Sequence, residues 1–191
     1  MPEPDLEYFR SLSWCNKWIG DPEWQVIPTG SRTPKPSTED ELFGRILNTH
    51  ETISRCLSFI KKPAPNKLIE EVRCLVTLEP GLNGYPAVCH GGLIALLFDE
   101  VMGVAGSQFV ARQIKLAKEK VEAPSKGAAM TVELTTIYRR PVLTPQTVCV
   151  VVLPVKQEAR KKFLNARLEN SKGDTLAECR AIFVLTSLPK I

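Results

Sequence analysis

Apolar positions along this chain switch between a helical and an alternating rhythm, and the switches outline its elements. Over residues 39–61, Leu42, Ile46, Ile53, Leu57 and Ile60 fall near helical spacing. Thr38 offers an N-cap, and Glu39, Asp40 and Glu41 put acids into the first turn. This predicts a helix with its apolar face on a sheet, interrupted near Asn48-Thr49 and stopped by Lys61, Lys62 and Pro63. Residues 67–79 alternate, with Val72, Cys74, Val76 and Leu78 on one side, and predict a strand. A dense apolar run from Leu93 predicts a helix from about 90 to 104 or beyond, with a break at Gly103 or Gly106 and helical character again over 108–119. Residues 124–127 read as a loop. Strand rhythm returns over 128–140, 148–157, 163–169 and 175–186. Pro141 and Pro145 separate the first two runs, and Ser171-Lys172-Gly173-Asp174 turns the last two. Helix, strand, long helix, then a strand meander indicates an α+β fold with helices packed on one antiparallel sheet.

Residues 1–38 have a different character. They hold all three tryptophans, Trp14, Trp18 and Trp24, and many prolines, with an extended linker over 28–36. The expectation is an arm whose aromatics anchor it onto the body or onto a partner subunit. The predicted division is 1–62, arm and helix packing on the core, and 63–191, the main domain. A chain of 191 residues with 43% apolar content fits one domain with such an addition.

Charge and cysteine usage narrow the classes. A net charge of +4 suits an anionic small molecule, and no Lys/Arg stripe with interleaved aromatics points to nucleic acid. No apolar run in the sequence approaches the ~20 residues of a membrane span. The six cysteines are scattered without a C-x-x-C pair, and the chain has two histidines, which argues against zinc ligation. They read as reduced, mostly buried thiols of a cytoplasmic protein. The acidic, proline-rich start resembles neither a secretory nor a mitochondrial leader. Pro189-Lys190-Ile191 offers only a distant match to a peroxisomal tripeptide.

The candidate chemistry lies in Asn83-Gly84-Tyr85-Pro86-Ala87-Val88-Cys89-His90-Gly91-Gly92 and the helix it opens. Glycines at a helix start let a ligand approach the backbone. The free N–H groups there, with the positive end of the helix dipole, favour a developing negative charge such as a polarised carbonyl oxygen. Asp99 follows His90 by nine residues. At about 100° and ~1.5 Å per residue, that places it roughly on the opposite side of the helix and ~13.5 Å further along. One helix therefore cannot bring both ends to one small substrate, whereas two antiparallel copies in a homodimer can.

This H-G-G–helix–D pattern resembles the hotdog-fold acyl-CoA thioesterases, in particular their PaaI-like branch, over roughly residues 66–187. The resemblance implies an antiparallel sheet wrapped around a long central helix, and an active site shared by two protomers that can pair further into a tetramer. It implies Gly91 as the backbone donor to the thioester oxygen and Asp99 of the partner helix as base or nucleophile. His90 shapes the helix start, Gly92 and Glu100 lie against substrate, and Thr131, ten residues before Pro141, positions water. The family commonly carries a polar residue, often Asn, six residues before the histidine. Here Gly84 holds that position and Asn83 stands one before it. The implied substrate is an acyl-CoA or acyl-carrier thioester, with coenzyme A as part of the substrate and no metal or other cofactor. The helix over 39–61 would then cap the acyl pocket.

Each residue also has a plainer reading. His90 can cap its helix, Asp99-Glu100 can form a polar helix rim, and Thr131 can be an ordinary strand residue. Cys89 beside His90 reads as a buried thiol rather than a nucleophile. His50 reads as a surface residue. Arg139-Arg140 and Arg160-Lys161-Lys162 either grip the phosphates of coenzyme A or lie solvated near strand ends. Besides thioester hydrolysis, two functions stay open: another step on an activated acyl chain, such as dehydration, release or cyclisation in biosynthesis, and non-catalytic acyl binding.

Overall fold

The computed structural model describes residues 3–118 and 128–186. Its frame is a seven-stranded sheet. In chain order the strands are β1 (Trp24–Ile27), β2 (Ile53–Lys61), β3 (Val72–Leu78), β6 (Ala128–Tyr138), β7 (Gln146–Glu158), β8 (Lys161–Glu169) and β9 (Thr175–Thr186). In space they run β1-β2-β3-β7-β8-β9-β6, every neighbour antiparallel. A small ribbon of β4 (Asn83–Tyr85) and β5 (Val88–Cys89) leads into the long helix α3 (Gly91–Lys118). Two short helices, α1 (Glu3–Ser11) and α2 (Asn16–Ile19), precede β1. This is the expected hotdog arrangement, with an N-terminal helical segment.

Over β2, β3 and β7 the sheet buries both faces. Its inner face receives α3: Ile94, Leu97, Phe98, Val101, Met102, Ala105 and Phe109 form one helical stripe against Cys74, Val76, Val148 and Val150. Its outer face is covered by the N-terminal helices, where Phe9, Cys15 and Trp18 pack on Leu57, Phe59, Leu75, Cys149 and Val151. The arm is thus anchored by its aromatics. Trp18 is buried, and the Arg73 guanidinium stacks over the rings of Trp18 and Trp24 at 4.8 and 5.4 Å. Asp5 fixes α1 through the Arg55 guanidinium at 3.2 Å and the Cys56 N–H at 3.4 Å.

The helix expected over 39–61 is not formed. A short π segment spans Leu42–Ile46, and residues 53–61 are strand β2, paired on both sides, so the sheet runs continuously across residue 62. Leu42 and Ile46, assigned to a buried helix face, are exposed, and no helical cap forms from this segment. The physical reason is that β2 is covered on both faces. Leu57 and Phe59 point to the outer core while Cys56 and Ile60 point to the inner one, so the apolar run lacks the one-sided alternation of a half-buried strand. Burial of a side chain such as Leu57 or Phe59 contributes about 1.5–3 kcal/mol, more than any helical propensity of the segment.

The meander strands lie where the alternation puts them. The expected break in α3 is absent: the helix runs unbroken through Gly103 and Gly106, neither of which has a neighbour within 4 Å of where a Cβ would stand. The packed stripe on its other face outweighs the ~1 kcal/mol cost of each helical glycine. Unbroken, Gly91–Leu116 is long and apolar enough by length and composition to cross a membrane, contrary to the sequence expectation; in this fold it is the core helix. The loop predicted over 124–127 and the C-terminal tripeptide lie outside the described residues. All six cysteines are free and buried.

Candidate active site

His90 sets the start of α3. Its Nδ1 accepts the Gly92 N–H at 3.0 Å, and its carbonyl accepts the N–H groups of Leu93 and Ile94 at 3.0 and 3.3 Å. It is an N-cap, with a ring nitrogen in the place of the usual serine or aspartate oxygen. Because Nδ1 accepts, the ring proton lies on Nε2. Of the N–H groups that a helix start leaves without helical acceptors, those of residues 92–94 are thus satisfied. Among the described residues the Gly91 N–H has no acceptor within the chain. Gly92 admits the ring, since a Cβ there would stand 3.1 Å from it.

The preceding ribbon holds this cap in place. The His90 N–H donates to Leu82 O and the Cys89 N–H to Val142 O, both at 2.8 Å. Gly84 lies directly against His90: a Cβ on it would come within 2.9 Å of the ring and 3.1 Å of the His90 Cα. A side chain does not fit at this position, where the resembling family often has Asn. Asn83 instead turns toward Thr144, whose hydroxyl donates to its carbonyl oxygen. Burial pushes the Cys89 thiol up to about 11, which leaves little thiolate for nucleophilic work.

Asp99 stands eight residues after Gly91, about 12 Å along the helix. Strand β6 crosses α3 beside both positions. Thr131 Oγ1 donates to Asp99 Oδ1 at 2.6 Å, and Tyr138 Oη donates to Gly91 O at 2.8 Å. A bulge at Val132, between the Thr131 and Glu133 registers, lies immediately beside the Asp99 contact. Thr131 was expected to position water; in the structure its hydroxyl is engaged with the carboxylate itself, leaving Oδ2 for another partner.

Asp99, Glu100 and Thr131 line a cleft of about 770 Å³. One wall is α3, where Asp99, Gly103, Gly106, Val110 and Ile114 repeat at helical spacing. Thr131 and Phe183, opposite each other in register, belong to a second wall. The third comes from the arm: Ser31, Lys35 and Asp40, with Lys35 ion-paired to Glu39 at 2.6 Å and Asp40 at 2.5 Å. Burial raises the pKa of Glu100, and Ser31 beside it pulls the other way.

Gly91 and Asp99 of one chain are not brought together. Arg139 pairs with Glu178 at 2.6 Å and Arg140 with Asp174 at 3.1 Å, both on the surface just after Tyr138. Lys162 of the second basic cluster is buried rather than solvated. His50 is exposed beside Glu51. Sequence reasoning missed Tyr138, Thr144 and the arm residues of the cleft. Tyr138 directly precedes Arg139-Arg140, but nothing local marks its reach to Gly91.

Comparison with known proteins agrees with this fold. Residues 87–177 match the family described as the thioesterase superfamily. Acyl-coenzyme A thioesterase THEM4 of Xenopus laevis is 27% identical over 174 residues, 84% of this chain and 67% of that protein. Verlamelin biosynthesis protein B of a Lecanicillium species is 27% identical over 166 residues, 76% of this chain and 72% of its own. In architecture the chain is similar to the E. coli PaaI protein from the phenylacetic acid degradation operon, with a TM-score of 0.50 and 16% identity, covering 61% of this chain and 73% of that one.

Proposed function

We propose that this chain, whose residues 87–177 match the thioesterase superfamily, hydrolyses acyl-CoA thioesters at a site completed by two subunits. The observation that carries this reading is the Asp99 carboxylate, oriented by Thr131 at 2.6 Å in the wall of a cleft large enough for an acyl group. Helix geometry supplies the second half of the argument. A donor about 12 Å from the carboxylate on the same helix cannot serve the same carbonyl, so Gly91 of the partner subunit takes that role. Exposed Met130 and Val132 on edge strand β6 support such a pairing.

In this mechanism Asp99 Oδ2 takes a proton from water as the water oxygen attacks the thioester carbon. The carbonyl oxygen becomes an oxyanion facing a backbone N–H at a helix start, where a fixed donor and the helix dipole stabilise it. Collapse breaks the C–S bond. The proton passes to the departing thiolate, releasing a carboxylic acid and the coenzyme A thiol. Coenzyme A takes part only as substrate, and the buried thiols suit a reducing, cytoplasmic setting. The relative named for verlamelin biosynthesis supports a second reading, acyl release within a biosynthetic sequence.

The test is incubation of the pure protein with a mixed acyl-CoA pool and mass spectrometry of the products. Hydrolysis should appear, and Asp99→Asn should lower kcat at least ~10²-fold with KM little changed. Absence of turnover across the pool, or full activity of Asp99→Asn, would overturn the reading.

A further inference from the structure

Strand β8 alternates Lys162, Leu164, Ala166 and Leu168 toward the inner core, which puts a lysine in an apolar row. Lys162 is only 3% exposed. Its Nζ has no hydrogen-bond partner among the described residues. A buried ammonium without a counter-charge is costly, so such a group either sheds its proton or receives an anion. Burial lowers the pKa of this lysine, which records the same conflict.

The lysine lines a cavity of about 240 Å³ beside Phe109 and Gln113 of α3, which shares no residue with the Asp99 cleft. Its remaining walls are mostly apolar: Leu68, Ile69, Phe109, Pro154, Val155 and Leu164. Gln113 and Gln157 also line it, but they bond each other at 3.0 Å rather than the amine. Lys156 is engaged with Glu158 at 2.7 Å. The cavity therefore joins an apolar body to a wall residue, Lys162, whose buried ammonium no described residue compensates. At ~30 Å³ for a water-sized group, it holds about eight non-hydrogen atoms.

We propose that this cavity is a second ligand site, which binds a short aliphatic monocarboxylate with its carboxylate on Lys162 Nζ and its chain against the apolar walls. Hexanoate, with six carbons and two oxygens, fits that volume, and octanoate extends to the mouth. The anion supplies the missing counter-charge, and the chain supplies apolar burial that a bare phosphate or chloride lacks.

The probe is octanoate, with 1-octanol as its uncharged isostere, followed by titration calorimetry on the full chain. Octanoate should bind one equivalent per chain and 1-octanol at least ~10-fold more weakly, the difference made by a charge-assisted contact. Lys162→Met should lose at least ~10-fold in octanoate affinity and bind acid and alcohol alike. Asp99→Asn should bind octanoate as the wild type does, which separates this site from the cleft. Lys162→Met should fold, since it removes a buried unpaired charge and keeps the volume. Equal binding of acid and alcohol, unchanged octanoate affinity in Lys162→Met, or absence of saturable binding would each overturn the proposal.

Discussion

Thr131 Oγ1 donates to Asp99 Oδ1 at 2.6 Å, joining strand β6 to helix α3 across 32 residues of sequence. Thr131→Val removes this donor at nearly constant volume. The carboxylate then rotates more freely, and a charge-assisted contact of about 1.5–3 kcal/mol is lost. We expect kcat for an accepted acyl-CoA to fall by about 10- to 100-fold with KM little changed, and Thr131→Ser to restore most of it. Steady-state kinetics on the three proteins check this; a Thr131→Val enzyme as fast as wild type would mean the contact is only structural.

Gly91→Pro removes the helix-start N–H that has no acceptor among the described residues, and proline is tolerated in the first helical turn. A loss of about 10²–10³ in kcat is expected with the assembly intact. The arrangement across two chains is tested by mixing Gly91→Pro with Asp99→Asn. A random heterodimer carries one site with both lesions and one with neither. After subunit exchange, about a quarter of wild-type site activity should return. No recovery, where exchange is demonstrated by mass, would place both groups within one chain.

Gly84→Ala is a small change with a predicted large effect. Its Cβ would stand 2.9 Å from the His90 ring and 3.1 Å from the His90 Cα, so the cap itself has to move. Such overpacking costs about 1–3 kcal/mol. Thermal unfolding should show a lower Tm, and activity should fall through displacement of Gly91. An alanine variant with unchanged Tm and kinetics would refute the close contact.

Glu100 carries a pH signature. Burial raises its pKa above the ordinary value of 4.5, so the native chain holds this proton more tightly than the unfolded chain. Its contribution to stability is then most favourable at acid pH and declines as pH rises through the native pKa. Glu100→Gln should therefore raise Tm at pH 7 and lose that advantage below the ordinary value. A Tm difference independent of pH would show that the carboxyl is not strained by burial.

The sequence by itself determined α3, the four strands from β6 to β9 and the glycine start of the helix, because each is written in a local period or a short motif. Repeats of 3.6 and 2 residues survive wherever an element buries one side. His90 as a cap was among the plain local readings, and the separation of Gly91 and Asp99 follows from helix pitch alone. Tertiary structure decided what no local period encodes. Residues 53–61 became a strand because two layers cover it, and burial on both faces erases the alternation that would have identified it. The hydroxyl of Thr131 on Asp99, that of Tyr138 on Gly91, the arm wall at Ser31 and Lys35, and the isolation of Lys162 Nζ all arise from contacts between segments far apart in sequence. Such meetings are set by how the sheet closes on the helix, and that depends on the whole pattern of burial rather than on the residues that meet.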